Sequence, residues 1–215
     1  MAKRKFIEKR RKERIVERDA TIDPRDYRTK LISLLENLNV DFETHGSENE
    51  KDDYYGFTLT YDPPWDRTWY IVKNPFGGND LELAIESEFD LAFGAGCWSF
   101  HPTEKEFGRF CETIKAIVEG RGATVRFCVG DEAKASAVLV GDELDTTNDF
   151  TLMERIAEKD WYGTDQDTLW GDPFTLSVKL KKELRRLRSR NGWRADYEYF
   201  NPADNKSLVF GKIST

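Results

Sequence analysis

The chain is poor in the residue types that most often build catalytic and metal centres. Its 215 residues include three Cys and two His, and the cysteines at positions 97, 111 and 128 show no CxxC spacing. An odd number of such cysteines argues against a disulfide framework and against a zinc site made of thiolates. We therefore expect reduced, mostly buried thiols, no bound metal and no cofactor.

Long apolar stretches are also missing. No window approaches the roughly 18 to 20 apolar residues that a membrane span requires, and the N-terminus lacks the apolar core of a secretory signal. We expect a cytoplasmic protein without a membrane partner. Hydrophobic residues make up 39% of the chain and aromatic residues 13%, which is too aromatic for a disordered protein and predicts a globular one.

Charge is strongly segregated along the sequence, although the net charge is only −7. Residues 1–19 hold nine Lys or Arg against four acidic residues, and residues 142–172 hold ten acidic residues against two basic ones. Residues 179–194 reverse the sign, with eight basic residues and one acidic residue. Such segregation predicts complementary faces, within the molecule or toward a partner. We interpret residues 1–20 as a basic mobile arm and residues 21–215 as one domain, with a subdivision near Gly141 as the alternative.

The periodicity of apolar residues predicts the order of the elements. Asp23-Pro24 resembles a helix N-cap, and Thr103 and Glu106 have the spacing of a capping box. Between the first helix and the first strand, residues 44–53 are polar and predict an exposed loop. The predicted helices span 24–38, 103–119, 151–157 and a basic segment through Leu176 and Leu187; the predicted strands span 57–61, 68–72, 81–85, 89–93, 125–129, 135–140, 193–200 and 207–213. Strand runs separated by helices, with short turns, predict an α+β fold with a mainly antiparallel sheet packed against two or three helices.

One segment concentrates the reactive side chains. Residues 93–102 bring together Cys97, Trp98 and His101 beside the glycines at 94 and 96. A Cys–His pair is able to act as nucleophile and base, and glycines admit a phosphate close to the backbone. However, the orienting group and the Walker or dinucleotide pattern are missing, so a bend or bulge that turns an aromatic corner is the better interpretation. An enzyme centred on Cys97 and His101 remains the third of three functional hypotheses.

The strands at 81–85 and 89–93, followed by the segment from Trp98 to His101 and the helix from Thr103, resemble small uncharacterised bacterial α+β proteins. Some of these are similar to immunity proteins that neutralise toxins. The resemblance covers residues 54–140 and implies a compact domain whose function is binding. Our first hypothesis is therefore a non-enzymatic, immunity-like module that binds a protein partner with a basic surface through acidic loops. The candidate contacts are Glu48, Glu50, Asp52, Asp53, Trp161, Asp165 and Asp167.

The second hypothesis is association with nucleic acid. The basic helix and the N-terminal arm carry enough cations to neutralise several phosphates. No base-reading motif accompanies this charge, and the acidic segment before the helix is positioned to compensate it. The candidate contacts are Lys179, Lys182, Arg185 and Arg186.

Overall fold

The computed structural model describes residues 21–46, 68–145, 148–159 and 173–211, with the backbone only for residues 173–179, 190 and 191. Over these ranges the chain forms two antiparallel sheets and four α-helices. The predicted α+β class is confirmed, with two sheets where one was expected. None of the described helices combines the length and apolar character needed to cross a membrane.

The first sheet is a meander of five strands in sequence order. Its strands are β1 (Phe42–Gly46), β2 (Thr68–Val72), β3 (Leu81–Ile85), β4 (Phe89–Phe93) and β5 (Gly96–Phe100). The prediction of a loop from Thr44 is wrong for residues 44–46, because the backbone of β1 pairs with β2 from Phe42 opposite Val72 to Gly46 opposite Thr68. An edge strand of this kind needs no apolar alternation of its own. The predicted strand at 57–61 lies outside the described residues.

Two helices cover one face of the first sheet. Helix α1 (Arg28–Asn37) follows a 3₁₀ turn at Pro24–Tyr27, and helix α2 (Glu104–Val118) begins after Thr103, whose hydroxyl accepts a hydrogen bond from the Glu106 amide at 3.2 Å. Both predicted N-cap side chains therefore cap, Asp23 at the 3₁₀ turn and Thr103 at α2, but the capping box is not closed, because the Thr103 amide donates to the His101 carbonyl and the Glu106 carboxylate contacts Arg109. The buried face joins side chains from both helices and the strands, including Leu31, Leu35, Leu83, Leu91, Phe93, Phe107, Phe110 and Ile114.

The second sheet combines strands from distant parts of the chain. Its order is β7-β6-β8-β9, with β6 (Gly122–Val129), β7 (Glu132–Val140), β8 (Trp193–Tyr199) and β9 (Lys206–Phe210). Helices α3 (Asp149–Lys159) and α4 (Pro173–Asn191) cover one of its faces and share its apolar core through Leu152, Ile156 and Leu184. Strands from both sides of Gly141 thus belong to one sheet.

The glycine segment that we interpreted as a bend or bulge is instead a β-hairpin tip. Phe93 pairs with Gly96, so Gly94 and Ala95 form a two-residue turn, and Gly94 has the positive φ of 57° that such a turn requires. We call Gly94 and Ala95 the hairpin tip. It rests on the second sheet, where the Thr124 hydroxyl donates to the Phe93 carbonyl at 2.5 Å and the Ser136 hydroxyl donates to the Ala95 carbonyl at 2.7 Å.

Close approach explains why glycines occupy this turn. A Cβ on Gly96 would lie 3.0 Å from the Thr124 side chain, and a Cβ on Gly94 would fall on the carboxylate of Glu198 in β8. The turn between β2 and β3 also contacts the segment of β8. The Asn79 side-chain amide donates to Glu198, and the Asn74 side-chain amide donates to the Phe200 carbonyl at 2.7 Å. The two sheets are therefore held together by hydrogen bonds around the hairpin tip.

We expect Gly94→Ala to destabilise the protein more than Gly77→Ala. Both glycines have positive φ, 57° and 78°, so an alanine at either position carries backbone strain on the order of 1–2 kcal/mol or more. Only at position 94 must the new methyl group also displace Glu198, whereas nothing lies within 4 Å of a Cβ at position 77. Urea unfolding of the two variants measures the difference. Equal losses would show that the Glu198 contact is unimportant.

Candidate functional site: a polar cleft on the second sheet

Alternation along β8 gives the second sheet two different faces. Trp193, Ala195 and Tyr197 are buried under α3 and α4. Arg194, Asp196 and Glu198 point the opposite way, where, among the described residues, the hairpin tip and Asn79 cover the end near Glu198. The rest of this side, which we call the open face, carries Arg126, Cys128, Arg194, Asp196, Ser207 and Val209.

A solvent-open cleft of about 440 Å³ lies at the open face. Its lining comes from the central strand β6, from β8, and from the start of β9 with the preceding turn. The lining residues are Arg126, Arg194, Asp196, Tyr197, Glu198, Asn205, Lys206 and Ser207. Lys206 pairs with Tyr197 in the sheet and places its amine over the Tyr197 ring at 4.9 Å, so its charge belongs to the opposite face.

Asp196 is the most constrained charge in the cleft. Its first carboxylate oxygen accepts from Arg194 Nε and Ser207 Oγ, each at 2.7 Å, and its second accepts from Arg194 Nη2 at 3.0 Å and Cys128 Sγ at 3.3 Å. These four donors match the roughly four lone-pair sites of a carboxylate. Partial burial raises the pKa of Asp196, but the bonds from Arg194, Ser207 and Cys128 outweigh it and lower the pKa below its usual value. Asp196 is ionised and saturated.

Arg126, in contrast to Asp196, is not fully hydrogen-bonded. Its Nη2 approaches Asp196 only to 4.0 Å, and its Nε is inaccessible to solvent and has no hydrogen-bond partner among the described residues. A buried donor without a partner costs about 1–3 kcal/mol. Because 40% of the side chain is exposed, other donors of this guanidinium are available to a ligand. Arg126, Asp196 and Arg194 together carry one net positive charge.

Much of the positive charge of the basic helix α4 is paired with carboxylates of the same molecule. Lys181 contacts Glu158 at 2.5 Å, Arg185 is paired with Glu154, and Arg188 donates two hydrogen bonds to Asp149 at 2.6 and 2.8 Å. All three carboxylates belong to α3, so the acidic segment compensates the helix as anticipated. Of the candidate nucleic-acid contacts, Arg185 is ion-paired and Lys182 and Arg186 are exposed. The side chain of Lys179 lies outside the described residues.

The candidate contacts of the acidic loops fall outside the description. Glu48, Glu50, Asp52 and Asp53 belong to the segment 47–67, and Trp161, Asp165 and Asp167 belong to the segment 160–172. Their role in binding a partner stays a prediction. The basic arm at residues 1–20 lies outside the described ranges in the same way.

Strand geometry separates Cys97 from His101. Cys97 lies in β5 and His101 directly follows the last residue of that strand, so four extended residues place them about 13 Å apart, too far for a nucleophile to share a proton with its base. His101 is exposed and its Nδ1 lies 3.2 Å from a Glu88 carboxylate oxygen. No group of three or more His, Cys, Asp or Glu side chains in the described part of the chain is arranged to hold a metal ion.

Comparisons of the chain with models of known protein families, with curated proteins and with solved structures found no match. The candidate site therefore rests on its own geometry. Sequence reasoning missed it because Arg126 and Asp196 are 70 positions apart, on different strands, and Arg126 is the only charged residue of its strand. The only signal was the alternation of charge with apolar residues in Arg194-Ala195-Asp196-Tyr197-Glu198, which marks one wet face of β8.

We expect stability to fall at acid pH partly through Asp196. A carboxylate with a lowered pKa in the folded state stabilises the protein above its unfolded pKa of about 3.9, and this contribution is lost as the pH falls through the folded pKa. Asp196→Asn should lower the unfolding free energy at pH 7 by about 1–3 kcal/mol, as for other hydrogen bonds to charged groups. The substitution should also make the free energy of unfolding depend less on pH. Urea unfolding from pH 2.5 to 7, with the exposed Glu132→Gln as control, measures both; an unchanged pH profile would contradict the assignment.

Of the three thiols that we expected to be mostly buried, only Cys128 is buried and Cys97 and Cys111 are half-buried, yet Cys111 and Cys128 should both resist alkylation. Burial raises the pKa of Cys111 to about 11, and burial together with the bond to Asp196 raises the pKa of Cys128. Because the thiolate is the nucleophile, iodoacetamide at pH 8 should label both residues far more slowly than it labels them in urea-unfolded protein. Labelling of Cys111 should accelerate as the pH approaches 11. Peptide mass spectrometry follows each site, and rapid labelling of the folded protein at pH 8 is the contrary result.

Proposed function

We propose that this chain is a protein-binding module whose open face seats a segment of its partner. The observation that supports this most is Arg126, a partly exposed guanidinium in a cleft whose own carboxylate is already saturated. Among the described residues, Arg126 has one ion pair, the 4.0 Å approach of Nη2 to Asp196, so the donors on the exposed part of its guanidinium are available to an acceptor from outside. An apolar side chain lies on the same face, since Val209 pairs with Arg194 and is 57% exposed.

Binding accounts for the observations better than an enzyme built on Cys97 and His101. Those two side chains are separated along a strand, and Asp196, fully occupied by four donors, has no acceptor left for a substrate proton. Interfaces combine a few charged anchors with apolar surface beside them, as the open face does. The acidic loops, if they act as predicted, would add a second contact for a basic surface of the same partner.

Photo-crosslinking in the native cell tests this proposal. With p-benzoylphenylalanine replacing Val209, irradiation should yield a discrete protein adduct, because this position faces outward beside Arg194. Arg126→Glu should reduce the yield at least tenfold, as expected when a charge-assisted contact becomes a repulsion. Arg109→Glu, on the exposed surface of α2, is the matched control and should leave the yield unchanged.

Two results would overturn the proposal. One is an adduct whose yield is the same with Arg126→Glu. The other is an adduct made of nucleic acid, formed equally well when the photoreactive residue replaces the exposed Lys182 of α4, which would favour the basic helix as the binding surface.

A further inference from the structure

The charged side chains of the cleft indicate which chemical group of a partner binds there. We propose that Arg126, with Arg194 held beside it by Asp196, binds the carboxylate of an acidic side chain of the partner. The inference rests on the proposed function and assigns the contact group at that site. The acidic loops are predicted to contact a basic surface of the partner, whereas the cleft is proposed to bind an acidic side chain of the partner.

The arrangement of the two arginines is set by strand register. Arg126 stands opposite Asp196, and the next pair on this face, Cys128 opposite Arg194, places Arg194 diagonally from Arg126. Diagonal neighbours on one sheet face lie about 7–8 Å apart at their Cα atoms, within reach of long side chains. The two guanidiniums therefore flank one carboxylate on the floor of the cleft.

Asp196 fixes Arg194 but cannot satisfy Arg126. Two hydrogen bonds hold the Nε and Nη2 atoms of Arg194 on Asp196, which leaves its remaining Nη1 donors unused in that contact. Arg126 is left 4.0 Å from a carboxylate that has no acceptor to spare. A second carboxylate, supplied from outside, completes the set by accepting from the guanidinium edge of Arg126.

The charge of the site favours a monoanion. Arg126, Asp196 and Arg194 sum to one positive charge, and Glu198, which accepts from Asn79 at the covered end, brings the sum over the lining to zero once Lys206 is counted with the opposite face. A singly charged carboxylate is therefore repelled by these two acids less than a doubly charged group is. A phosphate group carries about −1.5 to −2 at neutral pH, and it would meet Asp196 and Glu198, which line the same cleft. The site thus matches Glu or Asp better than a phosphorylated residue or a nucleic-acid backbone.

Arginine-detected NMR of the purified full chain tests the assignment. N-acetyl-glutamate N-methylamide, added at constant ionic strength, should shift the Nε–Hε signals of Arg126 and Arg194 in a saturable manner. The uncharged N-acetyl-glutamine N-methylamide is the matched probe and should leave both signals in place. Arg126→Gln should weaken glutamate binding, followed at Arg194, about tenfold or more, while Arg109→Gln should not change it.

The contrary outcomes are distinct. Equal shifts with both probes, no saturable shift, or tighter binding of inorganic phosphate than of the glutamate probe would each overturn the carboxylate assignment. Unchanged binding to Arg126→Gln would do the same, provided that circular dichroism shows the variant to be folded. Any of these results leaves the crosslinking test of the open face intact, so failure of this inference and failure of the proposed function are separable.

Discussion

The contact between the hairpin tip and the second sheet is the constraint on which the rest of the structure depends. It brings a main-chain turn against the side chains of Thr124 and Ser136, and it leaves little room for a Cβ at positions 94 and 96 unless Glu198 or Thr124 shifts. In the part of the chain that the structure describes, helices lie on one face of each sheet, so the other face is either covered by other segments or exposed to solvent. The tip covers part of the second sheet and thereby determines where that sheet remains open.

The cleft is a consequence of this partial cover. At the covered end, Glu198 receives the Asn79 amide, and Thr124 and Val138 pack against Gly96. Beyond that end the same face carries polar and charged side chains together with the buried Cys128 and with Val209, which is 57% exposed. Asp196 stabilises this polar surface by collecting four donors, and its saturation is what leaves Arg126 available.

Some charged residues are paired with one another and stabilise the fold, whereas others are available to bind a partner. Helix α4 looks like a nucleic-acid surface in the sequence, yet three of its cations contact carboxylates of α3, and buried leucines join the two helices. Those charges stabilise the packing of α4 on α3, where long side chains bury their apolar stems and pair their heads. Arg126 approaches only Asp196, at 4.0 Å, a carboxylate that already accepts four other hydrogen bonds, and this difference, rather than the number of basic residues, locates the candidate site.

The sequence by itself determined the local structure. Periodicity and capping residues were sufficient for the strands 68–72, 81–85 and 89–93, for both caps and for the amphipathic α2, because these depend on neighbours within a few positions. Tertiary structure alone decided that β6 pairs with β8, that Gly96 starts a strand, and that Arg126 faces Asp196. Alternation tells which side chains share a face but not which strand lies beside them, so a site assembled across strands 70 positions apart appears only when the backbone ladders have formed.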